Sequence, residues 1–488
     1  MAITINRTGT ARNASVWIYG ASALIFVVTA WFSIGYNHPD EHFQILEFAG
    51  FKLGMNPAAD LPWEYGFAMR PAFQPFIAWS VYSVSSFIGM ADPFLVTFFL
   101  RLLNAAITFL SIHLVVKLYS PTLVHRGLAT PFLLLSFLLF FVVYNSARFS
   151  SDTLSGRLFI IAFALLFLRQ KRDLPVYFFT GFLLGIAFIT RYQVIFMIAG
   201  FSLWLMLIKK EGIRNLAMLA LGFLTACGIG ILCDRWFYGR WEFTFWNYFR
   251  QNILLDKVSG FGLSPWYDYF TQTFLNAIPP LSLIFILAVL VYFMFRPKDP
   301  VTWSIVPFLA VHFAIGHKEL RFLYPIIGFI PFMMIAVWDR LLEIRGETLA
   351  KNLFIRIFAW IFWSVNFLMV AVIMFRPADD CAPVFREIMN APPGPMVLYY
   401  DQSDPYQLCY NIYFYRRPGM VTRKIDSPAS IPDRGDSLTY FVTTRPPDFR
   451  GADGRRELVY YALPEWMKRF DYNGWIERTR FWRIYRIG

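Results

Sequence analysis

Apolar runs long enough to cross a lipid bilayer recur through the first 375 residues of the chain. The first, Val16–Tyr36, is followed by no small-residue cleavage site, so we interpret it as a retained membrane anchor rather than a signal peptide. A spanning α-helix needs about 20 mostly apolar residues. Further runs that approach this length lie near 94–118, 128–145, 154–168, 174–190, 192–208, 214–233, 275–295, 301–316, 322–338 and 353–375. Only 16% of the residues are charged, against about 25% in a soluble domain. The sequence therefore predicts an all-α polytopic membrane protein with about 11 spanning helices, and it argues against a water-soluble enzyme.

Lysine and arginine residues concentrate in alternate short loops between these runs, and this bias sets the expected topology. The loops on one side hold Arg7, Arg12, Lys117, Arg126, Arg169, Lys171, Arg172, Lys209, Lys210, Arg214, Arg296, Lys298, Arg340, Arg345, Lys351 and Arg356. The positive-inside rule places this side in the cytoplasm. The net charge of +13 then fits contact with anionic membrane lipids rather than with nucleic acid.

The segment Met69–Met90 is apolar, but a spanning helix here would place two dense basic clusters, 169–172 and 209–214, outside the membrane. We therefore expect an interfacial or re-entrant helix, and Pro71 and Pro75 near its start agree with this interpretation. With that topology, every polar and aromatic-rich loop lies on the outer face, including the loop 37–90.

The tail from residue 376 to residue 488 is richer in charged residues and in Pro and Gly breaks than the rest of the chain. We expect a transmembrane module, residues 1–375, followed by a small extramembrane α/β domain, residues 376–488. Strands are predicted at Met396–Tyr400, Tyr410–Tyr415, Leu438–Thr443, Leu458–Tyr461 and Thr479–Tyr485. Cys381 and Cys409 could form a disulfide in this domain or remain free thiols. Four cysteines without a CxxC pair argue against structural zinc.

The densest group of chemically useful side chains comes directly after the first apolar run. Here His38, Asp40, Glu41 and His42 lie within five residues. An Asp in this position can accept a proton from a sugar hydroxyl as that hydroxyl attacks, so Asp40 and Glu41 are the predicted catalytic residues. Two alternatives stay open: a Pro-initiated helix with acidic residues in its first turn, where the helix dipole favours them, and a metal site for Mg, Mn or Zn.

Arginine and lysine side chains near the outer helix ends form a second predicted set. Guanidinium groups bind phosphate or pyrophosphate bidentately, so we assign donor-phosphate contacts to Arg101, Arg148, Arg191, His317, Lys318 and Arg321. Arg101 lies inside a predicted span, where a bare charge costs about 3 kcal/mol or more. It should face the bundle interior with a carboxylate or a lipid phosphate as partner. Snorkelling arginines and a buried ion pair of Glu319 are the structural alternatives.

Aromatic residues beside amides and carboxylates complete the predicted outer face. We assign a sugar or acceptor pocket to His38, His42, Gln44, Trp63, Glu64, Trp246, Asn247 and Trp266. The alternative is an interfacial aromatic belt, which has the same composition.

Three segments carry a resemblance to a known family. The segments 37–47, 234–241 with Trp246 and Asn247, and 317–325 together resemble glycosyltransferase family 22, the dolichyl-phosphate-mannose-dependent α-mannosyltransferases of GPI-anchor and N-glycan assembly. The resemblance implies a glycosyltransferase C fold with its active site on the lumenal or periplasmic face. It also implies a polyprenyl-phosphate sugar donor and inversion of a β-linked donor to an α-linkage. The family's acidic residue in the first outer loop matches Asp40, and its later His-Lys-Glu motif matches His317 and Lys318.

We therefore predict a membrane mannosyltransferase that uses a polyprenyl-phosphate donor and a lipid-linked glycan or glycolipid acceptor. No cofactor is assigned, although a divalent metal stays an alternative. The same fold could transfer arabinose or aminoarabinose instead. A lipid-glycan flippase or transporter should show repeated halves, and none is visible in the sequence. The sequons at Asn6 and Asn13 both lie on the predicted cytoplasmic side, which favours a bacterial inner membrane over the endoplasmic reticulum.

Overall fold

The computed structural model describes residues 9–432, 438–449 and 456–488, with side chains from residue 14 onward. Arg7 and Asn6 lie outside the described residues, and Arg12 and Asn13 lie within a helix whose side chains there are not described. The longer helices are α1 (Gly9–Phe32), α2 (Phe73–Phe87), α3 (Pro93–Tyr119), α4 (Ala129–Leu138), α5 (Phe140–Ser146), α6 (Ser151–Leu168), α7 (Leu174–Thr190), α8 (Ile195–Leu207), α9 (Ile213–Tyr238), α10 (Asp268–Asn276), α11 (Ser282–Phe295), α12 (Pro300–Ala314), α13 (Ile330–Arg345), α14 (Leu353–Phe375) and α15 (Ala382–Asn390). The strands are β1 (Met396–Tyr400), β2 (Met420–Lys424), β3 (Leu438–Thr443), β4 (Arg456–Tyr461) and β5 (Arg483–Ile487).

The helical architecture confirms a polytopic membrane protein. Within the described residues, six helical stretches are long and apolar enough to cross a membrane: Ala14–Phe32, Pro93–Thr122, Ser151–Leu168, Ile213–Tyr238, Leu320–Arg345 and Leu353–Phe375. A helix pair bent by 47°, Arg126–Leu138 with Phe140–Ser146, qualifies as a further span. Four shorter apolar helices, Leu174–Thr190, Tyr192–Leu207, Ser282–Phe295 and Pro300–Ala314, coincide with other predicted runs. The count of 11 spans stays a prediction, because these four are shorter than the usual span.

The bend between α4 and α5 shows how a broken helix is tolerated in this bundle. Leu139 has extended backbone angles, which frees backbone groups from the helical pattern. The side chain of Asn366 in α14 replaces the missing bonds: its Oδ1 accepts from the Phe140 amide at 2.9 Å, and its Nδ2 donates to the Leu138 carbonyl at 2.7 Å. Backbone polar groups at membrane depth need such partners, since lipid offers none.

Glycines allow α7 and α9 to pack with their backbones close together. A Cβ atom on Gly181 would lie 1.9 Å from the carbonyl oxygen of Leu219, and one on Gly222 would lie 2.0 Å from that of Phe178. Closely packed membrane helices use small residues four apart in this way. Gly185 and Ala226 continue the pattern one turn further along each helix.

The chain divides into two compact units. The first holds the described residues up to Ser33, together with Glu64–Ile77 and Phe99–Arg376. The second holds Ile34–Trp63, Ala78–Phe98 and the described residues from Pro377 onward. The predicted boundary at 375/376 lies beside this division. The loop 37–90, in contrast, was predicted to belong wholly to the transmembrane module, whereas much of it groups with the second unit.

The second unit contains the predicted small sheet. Its strand order is β2-β1-β3-β5-β4, with β1 parallel to β2 and β3, and with β5 antiparallel to β3 and β4. Strands β1 and β3 have the predicted bounds, and β4 and β5 overlap their predicted runs. Strand β2 was not predicted, because Arg423 and Lys424 make its sequence polar, as is common for an edge strand.

The predicted strand Tyr410–Tyr415 is wrong. The strand-type pairing described for this stretch is an isolated bridge between Gln407 and Asn411. The amides of Tyr413 and Phe414 bind a side chain elsewhere in the unit, as described below, and are therefore not available for a strand ladder. Cys381 is buried and Cys409 is exposed, and both are free thiols.

Candidate active site

The acidic segment after α1 folds as the beginning of a short helix, Pro39–His42. His38 Nδ1 accepts a hydrogen bond from the Asp40 amide at 3.1 Å, and Glu41 Oε2 accepts one from the Asn37 amide at 3.1 Å. Both carboxylates lie in the first turn, where the helix dipole favours negative charge. The helix-start interpretation is therefore observed. The Asp40 side chain remains 24% exposed, so it stays accessible to a substrate hydroxyl, and its catalytic role stays a prediction.

A π-helical turn, Phe43–Glu47, interrupts the helical run between Pro39–His42 and Phe48–Lys52. In an α-helix, side chains five positions apart point about 140° away from each other. The wider π turn, with its i→i+5 bonds, brings such positions to one face. His42 Nε2 consequently donates to Glu47 Oε1 at 2.7 Å.

Glu47 is buried and accepts further hydrogen bonds from distant parts of the second unit. Its Oε1 accepts from the backbone amides of Tyr413 and Phe414 at 2.9 and 3.0 Å. Its Oε2 accepts from Asn56 Nδ2 at 3.2 Å. No role was predicted for Glu47. Its position within an apolar stretch of the sequence was the signal that could have identified it, since a buried charge without partners is costly.

Two residues predicted for the sugar pocket are buried in this unit. His42 is fully buried and lies between the rings of Tyr36, at 5.0 Å, and Tyr415, at 5.6 Å. Gln44 is also buried. His38, by contrast, keeps 31% of its side chain exposed. Among the residues that the structure describes, no group of three or more His, Cys, Asp or Glu side chains is arranged to hold a metal ion.

The first unit contains a separate ionic cluster. Asp152, in the first turn of α6, is buried and pairs with Arg191 at 3.0 Å and with Arg321 at 3.6 Å. Arg321 also pairs with Glu319 at 2.5 Å, and Glu319 accepts from His317 Nε2 at 2.9 Å. The structure thus brings together three of the predicted donor-phosphate residues and adds Asp152, to which the sequence analysis gave no role.

Lys318 belongs to the same stretch of chain and is buried, with its Nζ bonded to the Ile315 carbonyl. In this cluster Arg191 and Arg321 pair with the two carboxylates of Asp152 and Glu319, and Lys318, which binds backbone carbonyls, adds a third cation next to Glu319 in the sequence. Tyr269 lies beside it, with its ring 6.0 Å from Lys318 Nζ. Burial and, secondly, the carboxylate of Glu319 raise the pKa of the Tyr269 hydroxyl, which therefore stays a hydrogen-bond donor.

Arg101 and Arg148 contact the C-terminal end of α1, and their predicted contact with the donor phosphate stays a prediction. Both are buried, as expected for Arg101. Arg101 Nε donates to the Ala30 carbonyl at 2.7 Å, and Arg148 donates to the Ser33 carbonyl at 3.1 Å. Cations commonly bind the last carbonyls of a helix, and here they bind at the C-terminal end of α1. Because these bonds lie at the end of α1, we base the proposed donor site on the ionic cluster instead.

The predicted aromatic pocket is spread over the surface and the interior. Trp246 and Trp266 are 53% and 65% exposed, which fits an interfacial belt as well as a sugar platform. Glu64 pairs with Arg70 at 3.2 Å, and Asn247 Nδ2 donates to the Ala68 carbonyl at 3.1 Å. Trp63 is half-buried.

A further buried carboxylate organises this part of the first unit. Asp234, near the end of α9, accepts from the Ala72 amide at 2.8 Å and from Thr244 Oγ1 at 2.5 Å. It therefore holds the chain before α2 and the chain after α9 together. Asp234 begins the family-like segment 234–241, but no function was predicted for it.

The match to a family model decides the classification. Residues 17–421 match the Alg9-like mannosyltransferase family. The chain belongs to the Alg9-like mannosyltransferase family. This range contains both the acidic segment and the ionic cluster, so the resemblance to family 22 is confirmed.

Curated proteins related to this Alg9-like chain carry mannosyltransferase names. GPI alpha-1,2-mannosyltransferase 3 of Bos taurus is 27% identical over 314 residues, which cover 61% of this chain and 53% of the relative. The Homo sapiens protein of the same name is 27% identical over 317 residues, covering 61% and 52%. A Schizosaccharomyces pombe protein, probable Dol-P-Man:Man(7)GlcNAc(2)-PP-Dol alpha-1,6-mannosyltransferase, is 29% identical over 138 residues, covering 28% and 25%. The chain spans about half the length of the first two relatives. No solved structure matches this chain.

The preference for a bacterial inner membrane is wrong. The relatives of this Alg9-like chain named above come from cattle, humans and fission yeast, and an Arabidopsis thaliana mannosyltransferase matches as well. These eukaryotic relatives favour the endoplasmic reticulum. The argument from missing outer sequons failed because the absence of an acceptor site from the outer segments is weak evidence about the compartment. The multi-pass membrane location itself is supported by the apolar helices.

Proposed function

We propose that this protein transfers mannose from a dolichyl- or related polyprenyl-phosphate donor to a hydroxyl group of a lipid-linked glycan or glycolipid. The transfer inverts the anomeric configuration and takes place on the lumenal face of the membrane. The observation that carries this proposal is the family match over residues 17–421. The name of the fission yeast relative, which includes Dol-P-Man, supports the donor class.

Asp40 is the proposed general base. The acceptor oxygen attacks C1 of mannose, the bond between C1 and the phosphate oxygen breaks, and the hydroxyl proton moves to the Asp40 carboxylate. A single displacement of this kind converts a β-linked donor into an α-linked product. The partial exposure of Asp40 and its place in the first helical turn, with Glu41 beside it, support this role. A positioned general base contributes about 10²–10⁴-fold to a rate.

The ionic cluster of the first unit is the proposed site for the donor phosphate. Arg191, Lys318 and Arg321 supply the cations, His317 lies in the same cluster as a further hydrogen-bonding group, and the carboxylates of Asp152 and Glu319 hold the two guanidinium groups in place. The leaving polyprenyl phosphate gains negative charge as the C1–O bond breaks. Preorganised cations stabilise such developing charge more than water does.

A transfer assay with the purified full chain in nanodiscs tests this function. Radiolabelled dolichyl-phosphate mannose is the donor, mannose-terminated glycolipids are the acceptors, and NMR of the product reports the linkage. We expect an α-linked mannosyl product. Asp40→Asn should keep donor binding and lose about 10²–10⁴-fold in turnover. Glu465→Gln, which changes a carboxylate that is 83% exposed, is the control and should leave turnover unchanged.

Three outcomes contradict the proposal. Transfer from GDP-mannose but not from the lipid donor contradicts the donor class. Transfer of arabinose or aminoarabinose in preference to mannose supports the alternative sugar. Near-normal turnover of Asp40→Asn contradicts the base, and Glu41 is then the next candidate.

A further inference from the structure

Glu47 joins two parts of the second unit that are far apart in the sequence. Its carboxylate is buried and takes hydrogen bonds from His42, from Asn56 and from the consecutive amides of Tyr413 and Phe414. Three of these donors converge on Oε1 and the fourth binds Oε2, so both carboxylate oxygens are held. The segment 411–415, which supplies the two amides, is part of the C-terminal region.

Glu47 also belongs to the helical run that carries the proposed base. The run begins at Pro39, includes Asp40 in its first turn, and continues through the π turn to Lys52. The bond between His42 and Glu47 exists because of that π turn, and it links the end of the first turn to the carboxylate. A shift of Glu47 therefore moves the helix start on which Asp40 lies.

We infer that Glu47 is a positioning residue for Asp40: it fixes the base-bearing helical run onto the segment 411–415 and makes the C-terminal region a part of the catalytic machinery. This inference rests on the proposed function of Asp40. The extent of the family match supports it independently, because that match does not stop at the membrane helices but continues to residue 421 and so includes Tyr413 and Phe414.

The role requires a carboxylate rather than an amide. A glutamine at this position could accept with its oxygen from two amides, but its own NH₂ group would then face Asn56 Nδ2, a donor that stays bonded to the residue 47 carbonyl. A buried donor left without an acceptor costs about 1–3 kcal/mol. We expect the substitution Glu47→Gln to loosen the run at its π turn.

Asp60 provides a matched control in the same unit. It accepts from the Tyr413 hydroxyl and from Asn411 Nδ2 at 3.2 Å, so it binds the same C-terminal segment. It lies in a separate turn, Ala58–Asp60, outside the base-bearing run. Asp60→Asn therefore weakens the attachment of the segment without acting on the helix of Asp40.

The test compares the full-length variants in the nanodisc transfer assay, with rates normalised to folded protein. Glu47→Gln should lower kcat by about 10²-fold, the effect of a displacement near 1 Å, with the donor KM within about twofold. Asp60→Asn should keep kcat within about twofold while lowering the melting temperature. The double variant Asp40→Asn/Glu47→Gln should be no slower than Asp40→Asn alone, because both changes act through the same base.

Amide hydrogen exchange provides a measurement that needs no activity. Glu47→Gln should speed exchange in residues 39–46, and Asp60→Asn should not. If Glu47→Gln does not fold, Asn56→Ala takes its place: it removes the Nδ2 group that binds Glu47 Oε2 and the Glu47 carbonyl but leaves the carboxylate, and it should show the same pattern with a smaller change in kcat.

The inference is overturned if Glu47→Gln, or Asn56→Ala in its place, keeps the wild-type kcat per folded molecule and wild-type exchange in residues 39–46. A double variant that is slower than Asp40→Asn by the full factor of Glu47→Gln also overturns it, since independent effects multiply. These outcomes differ from failure of the proposed function, in which the wild-type protein transfers no mannose from the lipid donor.

Discussion

The close contact between α7 and α9 predicts a specific sensitivity to one methyl group. In Gly222→Ala the new Cβ would lie 2.0 Å from the Phe178 carbonyl oxygen, whereas real Cβ contacts are not shorter than 3.0 Å. The two helices must therefore separate by about 1 Å at this point, and overpacking of this kind costs about 1–3 kcal/mol. Neither atom can move alone, because both are parts of a helix backbone.

Gly228 offers a control on the same helix. A Cβ at Gly228 meets nothing within 4 Å, so Gly228→Ala carries no packing penalty and gains up to about 1 kcal/mol of helix propensity. Gly222→Ala gains the same helix propensity, because it lies in the same helix, so the two single-methyl variants should differ by the packing cost alone, about 1–3 kcal/mol.

Thermal unfolding of the two variants in the same detergent measures this difference. A shift of roughly 2 °C per kcal/mol, typical of larger chains, corresponds to a melting temperature that is roughly 2–6 °C lower for Gly222→Ala than for Gly228→Ala. Equal melting temperatures would refute the argument, because they would mean that α7 and α9 do not pack backbone to backbone at Gly222.

Two further predictions concern the C-terminal region and the membrane topology. Burial raises the pKa of Asp379 to about 6 from 3.8, so this carboxyl adds stability below about pH 4 and loses it as the pH rises through about 6. Asp379→Asn should therefore stabilise the protein near about pH 7.5 and change little near about pH 4, in melting curves recorded across that range; a constant difference at all pH values would contradict the assignment. In a cysteine-free background, single cysteines at Gln170 and Gly212 should be shielded from impermeant thiol reagents added to the outer face, and one at Ser259 should be labelled. Labelling of the first two would mean that Met69–Met90 crosses the membrane.

The membrane helices could be located from hydropathy because this property is summed over many residues of one segment and does not depend on where the rest of the chain lies. The bend at Leu139 could not be foreseen in this way. The side chain that stabilises it, Asn366, lies 228 positions away from the Leu138 carbonyl that it binds. A polar residue within an apolar run signals that a partner exists, but it does not say where the partner lies.

In the candidate site, too, the residues could be predicted from local sequence but their distant partners could not. Asp40 and Glu41 stand out locally, as two carboxylates beside two histidines, and the structure places them at a helix start. The partners of Arg101 and Arg148 were expected to be anions and include carbonyl groups at the end of α1, since a helix terminus attracts cations without any acidic residue in the sequence. The hydrogen bonds between Glu47 and the segment 411–415 could not be predicted, because their donors are backbone amides, which have no sequence signature.

The second unit is assembled from separate stretches of chain, and this has a consequence for the order of events during synthesis. Glu47 and its donor Tyr413 are 366 positions apart. At about 5–20 residues per second, the ribosome needs roughly 20–70 s to make the intervening chain. During that interval Glu47 has its local donors His42 and Asn56, but the amides of Tyr413 and Phe414 do not yet exist. The complete set of hydrogen bonds at Glu47 can therefore form only when translation is almost complete, as a late step in the folding of the second unit.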